Sequence, residues 1–176
     1  MRDPDDRLFF STYTNLNWLP ILASDKYKDI VINSLEFLVI NKRITLYAFV
    51  IMPNHIHLTW RIEDGHQLHT VQRDFLKFTA QHIKYALIEE NHPLLEKLKV
   101  NAADRKVQIW ERNGYSFPLK KQNTILQKLN YIRKNPLKKD WFLAESADQY
   151  TYSSAKFYIK ALDDFGILTH VNNLFW

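Results

Sequence analysis

The chain has 176 residues, 46% of them hydrophobic, and its 24 Lys and Arg against 19 Asp and Glu give a formal net charge of +5. This length and composition predict one folded domain and exclude a chain that is mainly disordered. Cysteine is absent, which excludes disulfides, zinc–thiolate sites and cysteine nucleophiles, and three glycines are too few for glycine-rich nucleotide-binding loops. Because the sequence contains neither a secretory signal nor an apolar stretch of membrane-spanning length, we expect a cytoplasmic protein with no membrane partner.

Hydrophobic periodicity and turn residues divide the chain into alternating strands and helices. In the long helix at 68–90, an apolar stripe that includes Phe75, Phe78 and His82 is expected to face the core. In chain order, the predicted elements are a strand at 8–14, a helix at about 26–41, strands at 44–51 and 55–61 that form a hairpin, the helix at 68–90, a short strand at 107–110 and a helix at 124–135.

The order strand, helix, strand, strand, helix, strand is typical of a ferredoxin-like (RRM-like) α+β sandwich, with an antiparallel sheet and helices on one face. The other face of the sheet is then expected to be exposed. We predict a single domain over residues 1–176, in which an aromatic-rich C-terminal extension from about residue 141 packs back on the rest.

Two histidines one residue apart follow the Pro-Asn turn of the predicted hairpin. Alternate residues of a strand point to the same face. His55, His57 and Thr59 therefore share a polar face, while Ile56 and Leu58 point into the core. An isolated pair of this kind is common on wet sheet faces, so a metal site needs further ligands from elsewhere in the chain.

The predicted helix at 124–135 carries a tyrosine away from its apolar face. At about 100° per residue, Ile125, Leu129 and Ile132 cluster together, and Tyr131 lies roughly 150° from the centre of that cluster. The neighbours of this phenol are lysines and amides, which disfavours core packing. Asn135 lies one turn further along the same side. A single helix therefore offers both a nucleophile and an oxygen ligand.

Two imidazoles, an amide oxygen and a phenol indicate a phosphodiester chemistry. Mg²⁺ or Mn²⁺ accepts such ligands and leaves positions open for phosphate oxygens, whose charge it neutralises. Attack of the tyrosine oxygen on phosphorus gives a covalent phosphotyrosine and a free 3′-hydroxyl. Lys128 and Lys134 are the candidates to favour the phenolate, and the geometry decides which of them, if either, does.

Three stretches of the sequence resemble the single-tyrosine HUH transposases, within them the REP-associated (IS200-like) tyrosine transposases. Segment 49–58, FVIMPNHIHL, is similar to the family's histidine–hydrophobic–histidine strand, and segment 129–137, LNYIRKNPL, to its tyrosine helix. Segment 150–158, YTYSSAKFY, looks like its C-terminal aromatic and Ser-Ser motif. The long helix near 73–79 also has the family's pattern, so the resemblance spans roughly residues 8–158.

This resemblance implies that His55, His57 and Asn135 are metal ligands and that Tyr131 is the nucleophile. It further implies a transposase or endonuclease that cuts and rejoins single-stranded DNA at hairpin-forming repeats, through a 5′-phosphotyrosine and with Mg²⁺ or Mn²⁺. Relatives of this kind act as monomers or as homodimers.

The positive charge is concentrated around the tyrosine helix. Between Arg112 and Lys139 there are eight Lys and Arg and no acidic residue, which leaves 16 basic and 19 acidic residues elsewhere. Such a segment favours a polyanionic partner. Tyr115 and Trp110 flank Arg112 and are candidates to stack on unpaired bases, although the end of a strand favours a buried Trp110. The predicted DNA-contacting residues are Arg73, Lys77, Arg112, Lys120, Lys121, Lys128, Arg133, Lys134 and Lys138.

Two other functions remain open at this stage. A non-catalytic single-stranded nucleic-acid-binding domain would use the basic segment alone, and the position of Tyr131 off the apolar face disfavours it. A phosphoesterase with paired His-x-Thr motifs is suggested by residues 57–59, but no second motif of this type occurs in the chain.

Overall fold

The computed structural model describes residues 6–175, which fold around a four-stranded antiparallel sheet. The strands are β1 (Leu8–Thr14), β2 (Ile44–Ile51), β3 (His55–Ile62) and β4 (Tyr115–Pro118). Their order across the sheet is β2–β3–β1–β4, so β3 is an interior strand. The turn between β2 and β3 closes with a hydrogen bond from Met52 N to His55 O at 2.8 Å. The sheet thus holds the histidine strand between two hydrogen-bonded neighbours.

One face of the sheet carries helices α1 (Asp25–Ile40) and α2 (Leu68–Glu89). The core on this side is formed by large side chains that are almost fully buried, among them Trp60, Phe75 and Leu35. Strand and helix bounds up to residue 89 differ from the sequence prediction by one residue at most. The predicted α+β sandwich is therefore confirmed, with α1 and α2 on one face as expected.

The second face, predicted to be exposed, is covered. Helix α4 (Gln122–Lys134) lies across β2 and β3, and its Ile125 and Ile132 are buried against Val50 and Leu119. The short helices α3 (Leu94–Lys97) and α5 (Ala155–Lys160) complete the α-helices of residues 6–175, which also contain five short 3-10 helices. Because α4 has its own apolar side, the sheet face that holds the histidines becomes a second, smaller core.

The C-terminal segment protects the free edge of β2. Backbone hydrogen bonds of 2.9 Å join Ile51 N to Tyr152 O and Ser154 N to Phe49 O, and Thr169 N donates to Leu46 O at 2.9 Å. An unprotected edge strand is a template for unwanted pairing. Segments after residue 141 therefore cover the edge of the sheet at β2.

The predicted strand at 107–110 is wrong, because the fourth strand is formed by 115–118. Val107 and Trp110 each make only a single β-bridge, to Lys99 and Asn15. Trp110 is buried, and its indole N–H donates to Thr79 Oγ1 at 3.0 Å. The apolar pattern of this segment thus reflects packing against α2 rather than strand pairing, and a stacking role for Trp110 is excluded by its burial.

The predicted apolar stripe of the long helix is also displaced. The buried side of α2 is centred on Phe75, Thr79 and Ile83, whereas Phe78 and His82 are exposed and their rings contact each other at 4.1 Å between centroids. Thr79 satisfies its hydroxyl within the helix by donating to Phe75 O at 2.9 Å, which lets a polar residue occupy a core position. Among residues 6–175, no helix has both the length and the apolarity that a membrane span requires.

We expect Ile132→Ala to destabilise the protein by about 3 kcal/mol, because it opens a cavity beneath α4. Leu126→Ala, on the same helix but nearly half exposed, is the matched control and is expected to cost less than about 1 kcal/mol. Urea unfolding followed by circular dichroism measures both. Equal effects of the two variants would contradict the described packing of α4.

Candidate active site

The two histidine rings lie side by side on β3, with centroids 4.8 Å apart. His57 Nδ1 lies 2.7 Å from Oγ1 of Thr12, its register partner on β1, and His55 Nδ1 lies 2.6 Å from Asn54 Oδ1. Because an amide oxygen only accepts, His55 Nδ1 is the donor, and the Nε2 lone pair is left to face the site. Hydrogen bonds of this type orient imidazoles that bind metals.

Burial keeps both imidazoles neutral. His55 and His57 are 8% and 5% exposed. Desolvation lowers the pKa of His57 to about 3, with further lowering by the charges of His55, Lys138 and Lys128. Desolvation also lowers the pKa of His55 to about 4, opposed by a hydrogen bond with the Asn135 side chain. Neutral imidazole is the form that binds a metal ion.

Several buried polar atoms at this site lack a hydrogen-bond partner within residues 6–175. They include His57 Nε2 and Asn135 Nδ2, although Asn135 is almost fully buried beside His55. An unsatisfied buried group costs about 1–3 kcal/mol, so this arrangement is unfavourable unless the free atoms bind something. The buried Nε2 of His57, which has no hydrogen-bond partner among these residues, fits a metal ligand.

The donor set is two imidazoles and one amide, without carboxylates. Within the described part of the chain, no cluster of three or more His, Asp or Glu side chains is arranged to hold a metal ion. A cation at this site would therefore take His55, His57 and Asn135 from the protein and its other ligands from solvent or substrate. This set fits Mg²⁺ or Mn²⁺ with phosphate oxygens.

Tyr131 lies directly beside these residues. Its ring centroid is 5.1 Å from that of His57 and 6.1 Å from that of Phe10, and its side chain is 37% exposed. The adjacent Ile132 is fully buried, which fixes the rotation of α4 and holds Tyr131 at the rim of the sheet face. Asn135 follows at the end of the helix. The residues that the sequence selected are thus brought together in space.

Two lysine side chains place positive charge over the phenol ring. Lys138 Nζ lies 4.3 Å from the Tyr131 centroid and Lys128 Nζ lies 5.4 Å from it. The Lys128 ammonium also lies over the rings of Phe10 and Phe117, at 4.7 and 5.1 Å. Lys128 was expected near the phenol, whereas Lys138 was expected only as a phosphate contact. The turn after α4, which a helical projection does not describe, returns Lys138 to the tyrosine.

The other predicted DNA contacts form separate groups. Arg73, Lys77 and Arg112 line a groove of about 580 Å³ between α2 and the loop at 104–114, where Lys84 and Arg105 also lie. Because α2 packs on the opposite face of the sheet from α4, this groove is not part of the tyrosine site. The remaining predicted contacts lie on or next to α4 and are Lys120, Lys121, Arg133 and the exposed Lys134. Lys120 forms an ion pair with Asp6 at 2.8 Å, and Arg133 donates a hydrogen bond to Asn130 Oδ1 at 2.9 Å.

Sequence reasoning missed several neighbours of the histidines. Thr12 and Asn54 hydrogen bond to the imidazoles, and the indole rings of Trp18 and Trp141 contact His55, with centroids 6.3 and 6.1 Å away. Strand alternation on β1 places Phe10 and Thr12 on one face. Their pairing with the histidine strand, however, depends on a register that one strand alone does not reveal.

Comparison with known proteins identifies the fold. No protein-family model matches the chain, and no curated protein sequence matches it. A solved structure of a REP-associated tyrosine transposase bound to a REP hairpin matches with a TM-score of 0.64 and 15% identity, over 95% of this chain and 88% of that chain. A candidate transposase from Deinococcus radiodurans matches with a TM-score of 0.48 and 16% identity, over 71% and 87%. The first likeness confirms the predicted resemblance at the level of the fold.

The lowered histidine pKa values predict an acid-sensitive fold in metal-free protein. Both groups bind protons in the unfolded chain below its pKa of about 6.5 but stay neutral in the folded state until about pH 4 and 3. The contribution of the two histidines to the free energy of unfolding is therefore fully present above the unfolded pKa and is lost as the pH is lowered. The two groups together lose about 3 kcal/mol between pH 6.5 and pH 5.

Urea unfolding in EDTA at several pH values measures this loss, with a His55→Gln, His57→Gln double variant as the control. The control is expected to lack most of the pH slope in this range. Imidazole NMR signals of either residue that titrate near pH 6.5 in the folded protein would contradict the described burial.

Proposed function

We propose that this protein is a metal-dependent, single-stranded DNA endonuclease and strand transferase with Tyr131 as its nucleophile. The observation that carries the proposal is the position of the Tyr131 ring, 5.1 Å from the ring of the buried, neutral His57 and beside Asn135. A phenol used only for packing has no need of this neighbourhood. The transposase of known structure with the same fold supports the assignment.

The proposed chemistry is a transesterification. Tyr131 Oη attacks the phosphorus of a phosphodiester, the bond from phosphorus to the 3′ oxygen breaks, and a 5′-phosphotyrosine and a free 3′-hydroxyl result. Attack of a 3′-hydroxyl on the phosphotyrosine would reverse the step and rejoin strands without a nucleotide cofactor. The ammonium groups of Lys138 and Lys128 lie 4.3 and 5.4 Å from the centre of the phenol ring, where their positive charge would attract the phosphate that Tyr131 attacks.

His55, His57 and Asn135 would hold the divalent cation, Mg²⁺ or Mn²⁺. The bound cation would neutralise negative charge on the reacting phosphate. Thr12 and Asn54 act through the histidines, since their hydrogen bonds fix the ring orientation at which the Nε2 atoms face the site.

The proposed substrate is a single strand that carries a hairpin. The REP-associated transposase that shares this fold was solved with a REP hairpin. In the present chain, basic residues on α4 and in the groove beside α2 provide two positive surfaces for phosphates. Binding is therefore expected to weaken as the salt concentration rises.

We expect wild-type protein, incubated with Mn²⁺ and hairpin-containing single strands from the DNA that flanks its gene, to form an adduct that survives denaturation. Tyr131→Phe is expected to abolish the adduct, because the attacking oxygen is gone. Tyr85→Phe removes the hydroxyl of an exposed tyrosine on α2 and is expected to leave it unchanged. A denaturing gel with end-labelled DNA distinguishes these outcomes.

The same gel separates this function from a non-catalytic one. An adduct that persists in Tyr131→Phe would exclude Tyr131 as the nucleophile. Tight, salt-sensitive binding without any adduct would instead favour the nucleic-acid-binding domain.

We expect Thr12→Val to weaken Mn²⁺ binding about 10- to 100-fold, because it removes the hydrogen bond that orients His57. His57→Gln is expected to abolish specific binding, and His82→Gln, on the exposed side of α2, to leave it unchanged. Isothermal titration with Mn²⁺ in the absence of DNA gives the affinities. Wild-type affinity in Thr12→Val would show that the threonine does not orient a ligand.

A further inference from the structure

Trp18 follows shortly after the end of β1, and its exposed indole lies at the edge of the candidate active site. Its side chain is 63% exposed, and its ring meets that of His55 edge-on, at 66° and 6.3 Å between centroids. An indole with so much exposed area adds little to the core. Its position therefore needs another explanation.

The backbone that presents Trp18 is strained. Asn17 and Trp18 both have left-handed φ values, 53° and 56°. Left-handed backbone is unfavourable for a bulky residue such as Trp18, though less so for Asn, and residues held in such conformations cluster at functional sites. The surrounding structure must hold this conformation.

Three hydrogen bonds help to hold it, and two of them involve Asn54 in the histidine turn. Asn17 N donates to Glu111 Oε1 at 2.6 Å, and Asn15 N donates to Asn54 O at 2.8 Å. Asn54 Nδ2 donates to Trp18 O at 3.3 Å, while Oδ1 of the same side chain accepts from His55. Asn54 thus couples the orientation of His55 to the position of Trp18.

An exposed aromatic ring held rigidly beside a phosphate-binding site suits an unpaired nucleobase. Stacking on aromatic side chains is a main source of affinity for single-stranded DNA and tolerates every base. The indole of Trp141, which also contacts His55, is partly buried and so presents less of its ring. Trp18 is therefore the ring of this pair that is available to a ligand.

We propose that Trp18 stacks on an unpaired base next to the phosphate that Tyr131 attacks, and so positions the strand across His55. This inference rests on the proposed function and adds to it a base-binding contact. Its substrate class is a strand whose base beside the cleavage point is unpaired.

The test combines protein and DNA changes. Trp18→Leu is expected to raise the KM for the oligonucleotide about tenfold, the low part of the range for loss of one stacked base, with kcat for adduct formation nearly unchanged. Trp18→Phe keeps a ring and is expected to retain most of the affinity. Phe37→Leu, at an equally exposed position of α1 on the other face of the sheet, is the matched control and is expected to have no effect.

A series of oligonucleotides, each with one abasic residue near the cleavage point, identifies the base. Wild-type protein is expected to lose about tenfold in affinity at one position, and Trp18→Leu to lose nothing further there. A Trp18→Leu variant with wild-type KM, or additive losses at every abasic position, would overturn the stacking contact.

Failure of the proposed function gives a different result. If wild-type protein forms no adduct, the same series is measured by equilibrium binding to Tyr131→Phe. An abasic position that weakens binding to Tyr131→Phe but not to a Tyr131→Phe, Trp18→Leu double variant would support the Trp18 contact without reference to catalysis. If no position behaves in this way, the contact is overturned.

Discussion

The indole of Trp60 is fully buried in the centre of the sheet, and its N–H donates to Ser11 Oγ on the neighbouring strand at 2.9 Å. Ser11 Oγ lies 2.6 Å from Ser116 Oγ, so the contact extends across β1 to β4. A slip of one residue in β3 would turn the indole to the other face and break this chain of contacts. The same slip would turn His55 and His57 into the main core. The register fixed by Trp60 therefore also fixes the site.

The second face of the sheet explains why the histidines differ from ordinary surface residues. Helix α4 and the C-terminal segment remove water from this face, and burial keeps both imidazoles neutral. It also leaves polar atoms of His57 and Asn135 without partners within residues 6–175. A fold selected for stability alone would place apolar side chains there. The arrangement is consistent with a site that is completed by a ligand, as in many functional sites that reduce stability.

Most of the fold and the central residues of the site could be predicted from the sequence, because both follow from local periodicity. Alternation on one strand separates His55 and His57 from the core, and helical geometry places Tyr131 off the apolar side of its helix. The failures have tertiary causes. The segment at 107–110 is apolar because Trp110 packs on Thr79, and the stripe of α2 is displaced because Thr79 bonds to its own helix.

Contacts between segments that are distant in the sequence could not be predicted from periodicity, because they depend on tertiary structure. The partnership of Thr12 with His57 depends on strand register, and the return of Lys138 to Tyr131 depends on a turn. Left-handed backbone at Trp18 has no signal in residue type, whereas Asn17 is of a type that adopts this conformation more readily than most.

The nucleophile depends on its buried neighbour in the chain. Tyr131 is held at the rim by the helix, and the helix is held by Ile132, which packs beneath it into the second core. Asn135, one turn after Tyr131, is fixed by the same rotation of α4. Because the histidines come from the sheet and the tyrosine from the helix, the distance between them is set by packing between α4 and β3. Core residues of the second face thus position the candidate catalytic groups.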